Sequence, residues 1–319
     1  MKNPNAFEES LAADALSEEQ HAAQERRLQV YSAEALRLAV SVEKIYVKHS
    51  QFATALQQLD RLFQLGTELS TPLGMRLIGP PGVGKTALLR YFRDSLPSSA
   101  LYDKTCGVLA IRLPNRPYSG HLIRALLGQL RYPFTSGTHR QLYERRRVVF
   151  EALKSKGTRL IVLDEAQHLV SRSAAGSPKT IEGDAAEFLR ELMDETRVSL
   201  VLSGSKDLDD LSLSLDHLSS RINLRIELNE FALDASWGGF LKVYSKLVTV
   251  FDMSLITEPD VIAKLHVSTR GNARQFRQLI IEAILIAADV GKRALDYETL
   301  RTAYTRAFGE SASRSNPFV

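Results

Sequence analysis

Two short stretches carry side chains whose types and spacing suit chemistry on a phosphate. The first is Gly79-Pro80-Pro81-Gly82-Val83-Gly84-Lys85-Thr86, a full G-x-x-x-x-G-K-T pattern. Glycines let such a loop turn its backbone N–H groups inward around an anion, and a helix starting there adds its partial positive charge. Lys85 then neutralises the terminal phosphates, and the Thr86 hydroxyl holds Mg²⁺. The second stretch is Leu160-Ile161-Val162-Leu163-Asp164-Glu165, an apolar run ending in two carboxylates. Asp164 suits the shell of that Mg²⁺, and Glu165 suits polarisation of an attacking water. A strand-end acidic pair alone is unspecific; after a complete phosphate loop it specifies a nucleoside triphosphate site.

The surrounding elements must present those residues at one edge. Met75 to Ile78 reads as a buried strand before the loop, and Ala87 to Phe92 as the helix after it. Further apolar runs at Val108–Ile111, Leu160–Leu163, Val198–Leu202 and Ile222–Leu228 alternate with helical patterns at Ser119–Leu130, Leu142–Leu153, Glu182–Asp194 and Asp207–Leu218. That alternation predicts a parallel five-stranded α/β sheet covered by helices. The fourth run ends in Ser203-Gly204-Ser205, where a serine stands beside a γ-phosphate. Upstream, Ser32 to Ala39 predicts a short helix, Val42 to Val47 a strand-like alternation, and Ala53 to Leu65 a helix. Ile45, Tyr46 and Val47 suit either the base of a nucleotide or plain core packing.

After Phe231 the apolar spacing is helical throughout, with helices expected at Ala235–Val250, Pro259–Ser268, Ala273–Val290 and Tyr297–Phe308. The expected division is a flexible, partly helical lead-in over 1–40, a nucleotide-binding α/β domain over 41–230, a small all-α domain over 231–308 and a disordered tail over 309–319.

Composition sets the broad class. The 319 residues are 44 % hydrophobic and 24 % charged, ordinary values for a globular protein. No apolar run reaches the roughly 18 to 20 residues of a membrane span, and the N-terminus has no signal-peptide core, so a cytoplasmic location is expected. A single cysteine, Cys106, excludes an internal disulfide framework and a cysteine-based zinc site. The formal charge is +4, but between Arg112 and Arg159 eleven Arg and Lys residues face only Glu144 and Glu151. Such an excess suits either a phosphate-backbone partner or a solvated helix face.

Taken together, GPPGVGKT, LIVLDE, LSGS, Ser219-Ser220-Arg221-Ile222 and the helical segment around Thr269-Arg270-Gly271-Asn272-Ala273-Arg274 resemble an AAA+ ATPase over about residues 41 to 308. With the DEAQHL form of the acidic stretch and the segment GNARQFRQLI, the chain is similar to the TniB/TnsC group of DNA-transposition regulators, relatives of MuB. That resemblance implies ATP and Mg²⁺ as cofactors, and a sheet in which the Ser203 strand lies between the loop strand and the Asp164 strand. Ser203 or Ser205 is then the first sensor. Arg221 is the arginine finger reaching a neighbouring subunit's nucleotide, its alternative being an ordinary salt bridge. Arg274 is the second sensor, with Arg270 and Arg277 as competitors. The resemblance also implies rings or filaments of the chain on double-stranded DNA, bound without regard to sequence. Its partners are then a TniQ-type target selector and a TnsB/TniA-type transposase docking on the flexible ends, with no membrane involved. Arg116, Arg145, Arg146, Arg147 and Lys179 are the expected DNA contacts. Other AAA+ machines (ExeA-like, helicase-loader or initiator-like) and a nucleotide-gated scaffold stand as alternatives; a helicase lacks its second core domain here.

Overall fold

The computed structural model describes residues 31–97, 99, 102, 105–132, 141, 144–170, 183–210, 216–309 and 315–319. They form two compact units. One runs from Tyr46 to Phe231 and includes Asn272–Arg274; the other joins the described residues up to Ile45 with Ala232–Gly271 and Gln275–Val319.

The first unit is built on a parallel sheet of five strands: β1 (Gly74–Ile78), β2 (Val108–Arg112), β3 (Leu160–Asp164), β4 (Ser199–Gly204) and β5 (Leu224–Glu227), in the order β2-β3-β4-β1-β5. The Ser203 strand thus lies between the loop strand and the Asp164 strand. Central strands of a parallel sheet are covered on both faces and read as unbroken apolar runs; β4 is buried throughout, and β3 in its first four residues. Alternation divides β3 between two cores. Ile161 and Leu163 pack with side chains such as Leu122, Leu126, Val149, Phe188 and Leu192, which come from helices at Ser119–Gln129, Arg146–Ser155 and Gly183–Thr196. Leu160 and Val162 pack with Leu59, Leu62, Leu88 and Phe92, from helices at Ser50–Leu65 and Lys85–Asp94.

The stretch expected as a helix over 142–153 contains the helix Arg146–Ser155, with Gln141 and Glu144 also helical and 142–143 outside the described residues. Of the one expected over 207–218, the described residues form a 3₁₀ turn at Lys206–Asp210 and a helical turn at Asp216–Ser219, and 211–215 lie outside them. In the 3₁₀ turn Asp207 accepts from the Ser205 hydroxyl and Asp209 from the Arg225 guanidinium.

The second unit is all α: α1 (Ala33–Glu43), α2 (Ala235–Leu247), α3 (Pro259–Thr269), α4 (Ala273–Asp289, from Gln275 on) and α5 (Tyr297–Phe308). Trp237 is wholly buried here, stacked on Phe240, edge-on to Phe276, and donating its indole N–H to the Ile262 carbonyl at 3.0 Å. Two expectations are corrected in this unit. The segment expected to be strand-like from Val42 is the end of α1 and an irregular stretch. Ala35, Ala39 and Val42 are buried at helical spacing, and the Ser32 hydroxyl caps the helix by accepting from the Ala35 N–H at 3.2 Å. Ala35 and Ala39 pack on Leu285 of α4, so this part of the expected lead-in belongs to the C-terminal helical unit, and the boundary at 41 moves to 46. Within the expected disordered tail, Phe318 is buried against Tyr304 and Asn316 donates to the Arg301 carbonyl. Residues 1–30 and 171–182 lie outside the described residues. Among the described residues no helix is long and apolar enough to cross a membrane.

Two predictions follow from this packing. Ala35 is completely buried; Ala35→Leu should overpack the α1–α4 contact and destabilise the chain by about 1–3 kcal/mol in denaturant titration, and an unchanged midpoint would show α1 to be undocked. His49, at the start of the Ser50–Leu65 helix, sits edge-on to Phe52 and to Phe231, and burial lowers its pKa from 6.5 to about 4. The unfolded chain therefore binds the proton first. The stability His49 contributes is full above pH 6.5 and is lost as pH falls toward 4. His49→Phe should flatten that acid limb of a stability–pH curve; an unaltered limb would assign the loss to other groups.

Candidate functional site

At the carboxyl end of β1 the chain turns through residues 79–84 into the helix that starts at Lys85. Gly84, at φ 106°, caps that helix, and Gly82 stands at φ 88°. Side chains resist this left-handed backbone. At Gly82 there is also no room, since a Cβ would lie 2.4 Å from Asn272 Oδ1. Lys85 folds back over the loop, its ammonium donating to the carbonyls of Gly79 at 2.5 Å and Pro80 at 3.0 Å. Burial pulls its pKa down; Asp164 and Glu165 pull it up, and Arg274 down again. Three of the charges that the sequence singles out thus act on Lys85 at this loop.

Asp164 is bracketed by two hydroxyls. Thr86 Oγ1 donates to its Oδ2 at 3.3 Å, and Ser203 Oγ to its Oδ1 at 2.9 Å. Ser203 is wholly buried, while Ser205 turns its hydroxyl to Asp207, so of the two serines it is Ser203 that meets Asp164. Glu165 follows in a left-handed conformation, φ 56° and ψ 35°. Its carboxylate accepts from Gln167 Nε2 at 2.6 Å and from Arg112 at 3.4 Å.

The segment 272–274 closes the loop from the other side. Asn272 donates its amide to the Pro81 carbonyl at 2.9 Å and to Glu230 at 2.8 Å, and the Arg274 N–H donates to the Gly82 carbonyl at 3.0 Å. Arg274 is exposed at the mouth of this loop. Of its competitors, Arg270 ends α3 and Arg277 donates to the Ile45 carbonyl. Arg221 lies at the far edge of the sheet. Its carbonyl receives the Gly74 N–H at the start of β1, and its guanidinium is paired with Asp194 at 3.0 Å. Five residues of strand, about 16 Å, separate that point from Gly79.

The basic candidates divide. Arg116 and Arg147 are exposed and Arg145 is half-buried. Arg146 is a correction. It is 9 % exposed, holds Asp184 at 3.1 Å and Glu191 at 2.7 Å, and lies over the Phe188 ring, so it serves packing between helices. Lys179 lies outside the described residues. Gln167 and Asn272 were given no role from sequence, and Arg112 only as part of the basic region. The first two stand inside stretches quoted above, DEAQHL and GNAR, but their partners come from other strands and loops.

Several solved structures share this fold. The chain is similar to the Aeropyrum pernix ORC2 protein in its ADPNP–ADP complexes (TM-score 0.57, 18 % identity, 84 % of this chain and 69 % of that chain covered). It is similar to the Aeropyrum pernix ORC1 protein in complex with DNA (TM-score 0.59, 20 % identity, 84 % and 68 %), and to CDC6P from Pyrobaculum aerophilum (TM-score 0.57, 21 % identity, 81 % and 68 %). At these identities the likeness is one of fold, a parallel α/β sheet followed by helices. No curated protein matches the chain. A family model described as Bacterial TniB protein matches residues 37–231, more than half of the chain and all of its sheet; the chain belongs to the TniB family.

Proposed function

We propose that this chain is an ATP-hydrolysing regulator of DNA transposition that assembles on duplex DNA in its ATP-bound state. The observation that carries the reading is the convergence of Lys85, Thr86, Asp164, Ser203 and Glu165 at the ends of β1, β3 and β4 in a chain of the TniB family. The loop 79–84 cradles the β- and γ-phosphates with its N–H groups, and Lys85 and Arg274 supply positive charge there. Thr86 and Asp164 are hard oxygen donors already in contact, which suits Mg²⁺; when bound, that ion neutralises charge on the β- and γ-phosphate oxygens. Glu165 orients the attacking water and draws its proton.

Arg221 lies too far from its own loop to serve it, so its role is in a neighbour, where it exchanges Asp194 for the phosphates as charge develops. Turnover then requires head-to-tail assembly, and rotation per subunit decides between rings and filaments. DNA contacts fall to Arg116, Arg145 and Arg147, made to phosphates and independent of base sequence. A TniQ-type selector and a TnsB/TniA-type transposase are the proposed protein partners, and the cytoplasm is the proposed location. The fold shared with ORC and CDC6 proteins favours one second reading, an initiator- or loader-like ATPase; recruitment of a transposase separates the two.

The first test is binding to a random-sequence duplex with ATP, ADP or no nucleotide over a salt series, with particle imaging. Salt-sensitive, ATP-dependent rings or filaments are expected; nucleotide binding without DNA association in any state would refute the DNA role. Glu165→Gln should keep ATP and DNA bound while turnover falls by roughly 10²–10⁴-fold, and Lys85→Ala should lose both. Arg116→Ala and Arg147→Ala should each lower the salt slope of DNA binding by about 1, whereas Arg146→Ala should lower the melting temperature instead. Equal slopes in all three variants would remove this surface from the DNA path.

A further inference from the structure

Glu165 occupies a backbone region that a residue with a side chain enters only when its surroundings hold it there. Its own N–H donates to Asp164 Oδ1 at 3.1 Å, which fixes one end. The carboxylate end is held by Gln167, whose Nε2 donates to Glu165 Oε2 at 2.6 Å. The other end of the same carboxamide reaches the tip of β4, where Gln167 Oε1 accepts the Ser205 N–H at 3.3 Å. That approach needs Gly204, because a Cβ there would stand 2.3 Å from Gln167 Oε1. Gly204 in turn gives its carbonyl to the Gly79 N–H, the first residue of the phosphate loop, at 3.2 Å.

A continuous path of hydrogen bonds and one close approach thus runs from Gly79 through Gly204 and Gln167 to the carboxylate of Glu165. We infer that Gln167 is a positioning residue that sets the Glu165 carboxylate against the phosphate loop through the tip of β4. The inference rests on the reading of Glu165 as the group that orients the attacking water. A carboxamide is suited to the place because it donates at one end and accepts at the other. A carboxylate there would oppose Glu165, and an apolar chain would hold neither partner. Arg112, exposed and at 3.4 Å on the other oxygen, Oε1, is the looser of the two contacts.

The test is steady-state ATP turnover of the full-length protein with duplex DNA, together with equilibrium ATP binding, for Gln167→Met, Gly204→Ala and Glu165→Gln. Gln167→Met keeps the length of the side chain and removes both hydrogen bonds; Gly204→Ala leaves Gln167 intact and pushes its carboxamide away. Both should lower kcat by roughly tenfold to a hundredfold, the effect of an ångström-scale misplacement, with KM and the ATP dissociation constant within about twofold. Gln167→Glu, which retains the acceptor for Ser205 and loses the donor to Glu165, should match Gln167→Met. If Gln167→Met and Gly204→Ala bind ATP and turn it over at the parent rate while Glu165→Gln does not, the positioning role is wrong and the water-orienting role stands. Loss of ATP affinity in step with kcat would make Gln167 a support of the loop only and overturn the inference. Normal turnover in Glu165→Gln would overturn both.

Discussion

The chemistry of this chain depends on the register of three parallel strands. Leu77 of β1 pairs with Ser203 of β4, and Leu163 of β3 with Leu202, so the chain leaves β1, β3 and β4 almost level with one another. Side chains at the ends of β3 and β4 and at the start of the helix after β1 then meet without long reaches: Thr86 and Ser203 on Asp164, Lys85 on the carbonyls of the loop before it. A slip of one residue in β3 would turn Asp164 toward the opposite face. Burial of β3 and β4 on both faces is what prevents the slip, because the two cores accept Ile161 and Leu163 on one side and Leu160 and Val162 on the other.

Within that frame the electrostatics are balanced among a few groups. Lys85 is partly withdrawn from water, which disfavours its charge, while Asp164 and Glu165 favour it and Arg274 opposes it. An anion placed in the loop would meet Lys85 and Arg274 at once, the charge pattern on which the proposed nucleotide reading rests.

Much of this was legible in the sequence where residue type and spacing are themselves the mechanism. Gly82, Gly84, Lys85 and Thr86 fall in a loop only a few backbones can adopt, and the strands announce themselves because both their faces are apolar. Sequence was silent where helical phase or a distant partner decides. Arg145, Arg146 and Arg147 are chemically alike, and only the turn of their helix puts the middle one over Phe188. Gln167 and Asn272 take their meaning from carbonyls and amides in other loops. The alanines of α1 look like a lead-in because the leucine that covers them is far along the chain, and Phe318 looks like part of a tail for the same reason.

That distance has a consequence for how the protein is made. The N–H of Ser32, at the head of α1, is held by Asp289, 257 residues later. At a synthesis rate of about 5–20 residues per second, α1 leaves the ribosome roughly 13–50 s before its partner exists. During that interval the whole sheet unit, from Tyr46 to Phe231, emerges and can close on its own core. The helical unit is therefore last to be completed, and Ala35 and Ala39 of its first helix wait through that interval for the Leu285 that covers them.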